Sequence, residues 1–145
     1  YQDKVFSINM IESSDLKSLT ETRTLMYIID LRDNEAFNIS HISGSKLTSY
    51  TTFNKDQVSE LNKNTTIILY DNLLNDETKQ VAAYMQHMGF IDIRILNEGL
   101  IGWANNNYPM VDREGKASKS VVVNDRNEAK ELKKTKVTAT IVVYK

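Results

Sequence analysis

"TTIILYDNLLNDETKQVAAYMQHMGF", Thr65 to Phe90, is the stretch on which the reading of the chain turns. Thr66 to Tyr70 is a short, β-branched and apolar run that fits a buried strand. After "DNLLND", Asp71 to Asp76, the residues Val81, Tyr84, Met85 and Met88 recur at helical spacing up to Gly89, a residue suited to a helix end. A loop at the carboxyl end of a strand that runs into a helix often holds an anion or a nucleophile. This loop offers carboxylates, amides and leucines instead.

Working outward, "LMYIIDL", Leu25 to Leu31, predicts a buried strand, preceded by a short helix in "SSDLKSLTE". "NEAFNIS" predicts a helical turn, "HISGSKL" passes through Gly44 into a brief extended segment, and "KDQVSELN" predicts a short helix with Val58 and Leu61 inward. In "IDIRIL" the residues Ile91, Ile93 and Ile95 share one side, as in a strand. "NEGLIGWANNNYPM" predicts a glycine-containing turn and a short helix around Trp103 that stops before Pro109. Strands alternating with helices imply an α/β fold with a central, mainly parallel sheet flanked by helices.

The polar "VDREGKASKS" marks a boundary, so residues 1–111 are expected to form the main domain and residues 112–145 a linker with a small strand–helix–strand extension. Too small to fold alone, that extension is expected to dock on the domain, exchange with another protomer, or begin a further domain. Its last strand, "VTATIVVY", is expected to be paired, within the domain or across a homo-oligomer, because an open β-branched edge invites aggregation. "IIDLRDNEAF" and "VVVNDRNEAK" resemble each other over a short, gapped stretch that does not amount to a repeat.

The chain has 145 residues, a formal net charge of −1 and no cysteine. That length suits one domain, and the balanced charge gives no electrostatic case for nucleic acid or an anionic membrane. No run approaches the roughly 18 apolar residues of a membrane span. The absence of cysteine removes disulfides, thiolate metal sites and cysteine nucleophiles together, and leaves the compartment open. The start, "YQDKVF", has no initiator Met, so a processed or excised piece is expected, with any targeting segment removed.

Three pieces in order carry a resemblance that covers roughly Ile8 to Met110. "IIDLRDNEAFNISHISGS" resembles the first signature of the rhodanese-like domain family, "TTIILYDNLLNDETKQVAAYMQHMGF" its central strand, active-site loop and helix, and "IRILNEGLIGWANNNYPM" its closing Gly-Gly-x-x-x-Trp segment. Asp30, Arg32, His41, Gly44, Gly99 and Trp103 match the family's structural motifs, with Ser40, Ser43, Ser45 and Glu98 as departures. The family's loop pattern is Cys-x-x-Gly-x-Arg. Registered on Tyr70, the resemblance puts Asp71 at the cysteine position, Leu74 at the glycine and Asp76 at the arginine. The family it resembles carries sulfur on a thiolate in a cradle of backbone N–H groups, and related phosphatases hold phosphate there. An aspartate cannot carry sulfur, and Asp76 beside Glu77 repels anions by on the order of 1 kcal/mol or more for each reversed charge.

The resemblance therefore implies a catalytically inactive domain without a cofactor, acting as a protein-interaction or structural module, in which Asp71, Asn72, Leu73, Leu74, Asn75 and Asp76 form a vestigial loop. The alternative is a sulfurtransferase-like or phosphatase-like enzyme using that loop with non-cysteine chemistry. Asp71, Asp76 and Glu77 read as caps of the following helix, or as a weak divalent-cation set. Leu73 and Leu74 either pack into the vacated pocket or stand exposed for a partner. Asp30 with Arg32 reads as a buried or half-buried pair, His41 as a turn residue before a general base, His87 as a surface residue, and Trp103 as a core aromatic.

Overall fold

A computed structural model describes residues 9–133 and 138–141, so Val137 and Val142 to Tyr144 of the predicted last strand lie outside the described residues. The chain runs β1 (Asn9–Ile11), α1 (Ser13–Glu21), β2 (Met26–Asp30), α2 (Asn34–Ile39), β3 (Ser45–Leu47), β4 (Thr66–Tyr70), α3 (Asp76–His87), β5 (Ile93–Leu96) and α4 (Gly99–Asn105). After these come β6 (Met110–Val111), β7 (Ala117–Ser118), β8 (Ser120–Val123), α5 (Arg126–Glu131) and β9 (Thr138–Ile141). The first five strands form one parallel sheet in the order β1-β5-β4-β2-β3. It is the mainly parallel α/β sheet expected, with helices on both faces.

Side-chain alternation along the central strands sorts the core into two layers. Ile28, Ile68, Tyr70 and Leu96 face Leu16 of α1 and Leu100, Ile101 and Trp103 of α4. Ile29, Ile67, Leu69, Ile93 and Ile95 face Val81, Ala82 and Met85 of α3. A strand buried on both sides must be apolar throughout, which is why β4 reads as an unbroken run. Trp103 is 1% exposed and donates its indole N–H to the Pro109 carbonyl at 2.9 Å.

Several local expectations change. Leu25 and Ile91 are 79% and 71% exposed, because each lies just outside its ladder, before Met26↔Thr66 in one case and Ile67↔Ile93 in the other. Tyr84 is exposed as well, so the buried face of α3 runs through Thr78, Val81, Ala82 and Met85. "KDQVSELN" contributes only a 3-10 turn, Lys55–Gln57, although Val58 is buried. "VDREGKASKS" is not plain linker: β6 and β7 pair as a hairpin, with the Asp112 carboxylate accepting the N–H groups of Glu114 and Lys116 and Gly115 at φ +81°. His41 joins this hairpin through reciprocal backbone bonds with Val111, both 2.9 Å.

Beyond it, β8 pairs in parallel with β9, with α5 between them in the chain. Val121 and Val123 of β8 and Leu132 belong to the same apolar layer as Tyr70 and Trp103. The two similar sequence stretches take similar local form, each a strand followed by an aspartate N-cap, Asp33 or Asp125, and a six-residue helix. Among the described residues, truncation after Asp112 removes the buried Val121, Val123 and Leu132 from that layer. The shortened chain should unfold at lower urea and expose apolar surface to a hydrophobic dye. An unchanged urea midpoint would show that residues 113–145 add nothing to the core.

Candidate functional site

Asp30 and Tyr70 are register partners at the carboxyl ends of β2 and β4. Two residues past Asp30, the Arg32 guanidinium turns back: Nη2 lies 2.7 Å from Asp30 Oδ2 and Nε lies 3.0 Å from Oδ1. Both side chains are buried, more fully than a half-buried pair. The guanidinium also donates to the Ser40 carbonyl and, at 3.3 Å, to Asn72 Oδ1. Burial works against its charge, but the attraction of Asp30 and its hydrogen bonds outweigh that and raise the pKa further. Its carbon lies 5.8 Å from the centre of the Tyr70 ring. The Tyr70 hydroxyl accepts the Ile42 N–H at 3.2 Å and lies 3.0 Å from Ser45 Oγ, and burial pushes its pKa well above the ordinary value.

The loop after Tyr70 is held by its main chain. The Leu100 and Ile101 N–H groups donate to the carbonyls of Asp71 and Asn72, at 2.9 and 3.1 Å. Gly99 makes this possible, because a Cβ there would lie 2.3 Å from the Asn72 oxygen, and its φ of +63° is left-handed. Gly44 also has a positive φ, at the turn into β3. The Asp71 carboxylate accepts the Asn72 N–H at 2.6 Å. An internal carboxylate thus takes a loop N–H. Burial is the largest influence on Asp71 and raises its pKa above the ordinary 3.8.

The helix cap differs from the expected one. Asn75 is the N-cap of α3, its Oδ1 accepting from the Thr78 N–H at 2.8 Å and hydroxyl at 2.7 Å, while Asp76 and Glu77 are exposed first-turn acids. Among the described residues, no three His, Cys, Asp or Glu side chains are grouped as a metal would need. Leu73 and Leu74 are half-buried and diverge, Leu73 packing on the Tyr70 layer and Leu74 on the α3 layer. His41 stacks on Phe37 with centroids 3.8 Å apart, and its Nδ1 lies 2.7 Å from the Phe37 carbonyl. His87 is exposed.

Sequence reading passed over Asn72 as a tie, and with it Tyr50, Asn124 and Glu128. Asn72 is buried, and its amide Nδ2 donates to the Val122 carbonyl at 2.6 Å and to Glu128 Oε1 at 3.0 Å. Glu128 Oε1 also accepts the Asn124 N–H at 2.8 Å. The extension is therefore tied to the loop. Between them lies a cleft of about 300 Å³ lined by Leu31, Arg32, Asp33, Ala36, Ser49, Tyr50, Thr51, Asp71, Asn72, Glu77 and Asn124. Only a match of Asn72 to a carbonyl far along the chain marks these residues, and one sequence does not display it.

The rhodanese-like domain model matches residues 12–106. The uncharacterized protein YibN of Escherichia coli (strain K12) is 30% identical over 86 residues, 58% of this chain and 59% of YibN. The chain thus matches little more than half the length of that relative. Among solved structures, BH2092 of Bacillus halodurans is similar with a TM-score of 0.67 at 23% identity, over 74% of this chain and 79% of that one. The rhodanese-like domain of the Anabaena Alr3790 protein is similar with a TM-score of 0.64 at 24% identity, over 73% and 80% of the two chains.

Two outcomes follow from this geometry. Breaking the buried pair by Asp30→Asn or Arg32→Met should cost about 3–5 kcal/mol each, and the double variant should cost clearly less than the sum, as a urea double-mutant cycle reads it. Additive costs would mean that the pair is not coupled. Asp71 binds its proton more tightly folded than unfolded, so its ionisation opposes folding as pH rises from 3.8 through the raised folded value. Asp71→Asn keeps an acceptor for the Asn72 N–H and should raise stability at neutral pH, with the gain vanishing well below pH 3.8. A gain of equal size at both pH values would assign it to another cause.

Proposed function

The chain belongs to the rhodanese-like domain family, and on that premise we propose that it is a member without catalysis, whose loop and cleft serve as a binding or structural module. One observation carries this reading. The loop position that the family resemblance assigns to a sulfur-carrying cysteine is Asp71, in a chain with no cysteine at all, and the Asp71 carboxylate occupies the Asn72 N–H. A thiolate there would be stabilised by backbone donors and a nearby cation. Here Arg32 is committed to Asp30, and Asp76 and Glu77 stand at the helix start.

An enzyme centred on Asp71 would need a cation to neutralise a transferred phosphoryl group. No observation favours one, so the module is preferred. Residues 112–145 are part of it on this reading, since the Asn72 side-chain nitrogen donates to Val122 and Glu128 of the extension. Leu73 and Leu74 are a candidate partner contact, lining a second groove with Ile101 and Asn105.

A thiosulfate:cyanide assay tests the proposal. The chain should show no turnover above background, and Asp71→Cys alone should also fail, because the acids at the helix start still oppose the anion. Turnover by the unaltered chain that disappears in Asp71→Ala would overturn it.

A further inference from the structure

The extension sets one side of α5 against the main domain and leaves the other in solvent. On the inner side Glu128 accepts from Asn72, while the Asn105 side chain donates to the Glu131 carbonyl at 2.9 Å and accepts the Lys133 N–H at 2.7 Å. On the outer side Arg126 and Lys130 stand one helical turn apart and Lys133 follows just past the helix end, all three exposed. With Ala129 and Leu132 they line an open groove of about 550 Å³. Its floor is apolar, because Leu132 is buried in the Trp103 layer, Ala129 packs on that layer, and the long stems of the cations are themselves apolar. Every charge in the lining is positive. Among the described residues none of the three cations forms an ion pair. The acids of the same segment are used elsewhere: Asp125 caps the helix, Glu128 serves Asn72 and Asn124, and Glu131 lines the neighbouring groove of Leu73 and Leu74. Lys133 lines both grooves, so the two surfaces are continuous.

Resting on the reading of the chain as a non-catalytic binding module, we infer that the α5 groove docks an acidic partner segment, whose carboxylates meet Arg126, Lys130 and Lys133 and whose apolar side chains lie on Ala129 and Leu132. Charge complementarity selects this occupant. A few cations around an apolar floor suit a peptide that carries both kinds of side chain, whereas a nucleic acid needs a longer run of phosphate contacts, and a chain of net charge −1 has no basic excess to continue them. Through Lys133 the same segment reaches Leu73, Leu74 and Ile101, where Glu98 and Glu131 disfavour further carboxylates and the leucines take apolar side chains. The partner segment is thus acidic at one end and apolar at the other.

The test uses the full chain and a short blocked peptide with Asp and Glu at one end and Leu at the other, titrated while backbone amide NMR signals are followed. Saturable shifts should appear at Arg126, Ala129, Lys130 and Lys133 and extend to Leu73 and Leu74, and added salt should weaken the binding. The same peptide with Asn and Gln in place of its acids should bind about tenfold more weakly, and so should the acidic peptide to a variant carrying Lys130→Gln and Lys133→Gln. Both lysines are exposed, so the urea midpoint of that variant should match that of the unaltered chain. Equal binding of the neutral peptide, unchanged affinity in the double variant, shifts that map away from α5, or tighter binding of a thymidine oligonucleotide or of phosphatidylglycerol vesicles would each overturn the inference. Absence of peptide binding together with absence of thiosulfate:cyanide turnover refutes this inference alone, whereas turnover refutes the reading beneath it.

Discussion

A guanidinium taken out of water tolerates few arrangements, and the buried charge of Arg32 sets most of what surrounds it. Desolvating such an ion costs several kcal/mol even after relaxation, so its donors must all find acceptors in fixed places. Asp30 supplies the counter-charge from the end of β2, Ser40 a carbonyl from the end of α2, and Asn72 an amide oxygen from the loop after β4. Three segments distant in the chain are thereby brought to one point. Tyr70 closes it from the neighbouring strand, with a neutral hydroxyl that fixes Ile42 and Ser45.

Asn72 carries that constraint one step further. Its side-chain oxygen faces Arg32 and its nitrogen faces the extension, so one amide joins the old family core to residues 120–132. A buried amide left half-paired costs about 1–3 kcal/mol, which gives the extension a polar reason to stay in place beside the apolar one supplied by Val121 and Val123. The tie also brings Asn124 of the extension to the edge of the cleft beside the loop.

The sheet was legible in the sequence because a doubly covered strand leaves an unbroken apolar run and a covering helix leaves a 3.6-residue stripe; Ile67 to Tyr70 and Val81 to Met85 show both. Apolar character alone misplaced Leu25 and Ile91, since ladder pairing and not hydropathy decides where a strand begins. The acids at the start of α3 carry the charge that suits a helix start, but Asn75, an equally good capping residue one position before Asp76, makes the cap. The polar stretch at Asp112 hid a hairpin, because a two-residue strand has no periodicity to read. At the site, the identity of the loop was readable from Asp71, whereas Asn72 to Val122 joins residues 50 apart in sequence and Asn124 and Glu128 arrive only with the extension.

That long-range tie also orders events during synthesis. A ribosome delivers the chain from its amino end, so all five strands of the main sheet emerge before Val122. Until then the Asn72 nitrogen has only water to face, and the apolar layer around Tyr70 and Trp103 lacks its last three side chains. The segment that covers the loop is thus the last part of this fold to be supplied.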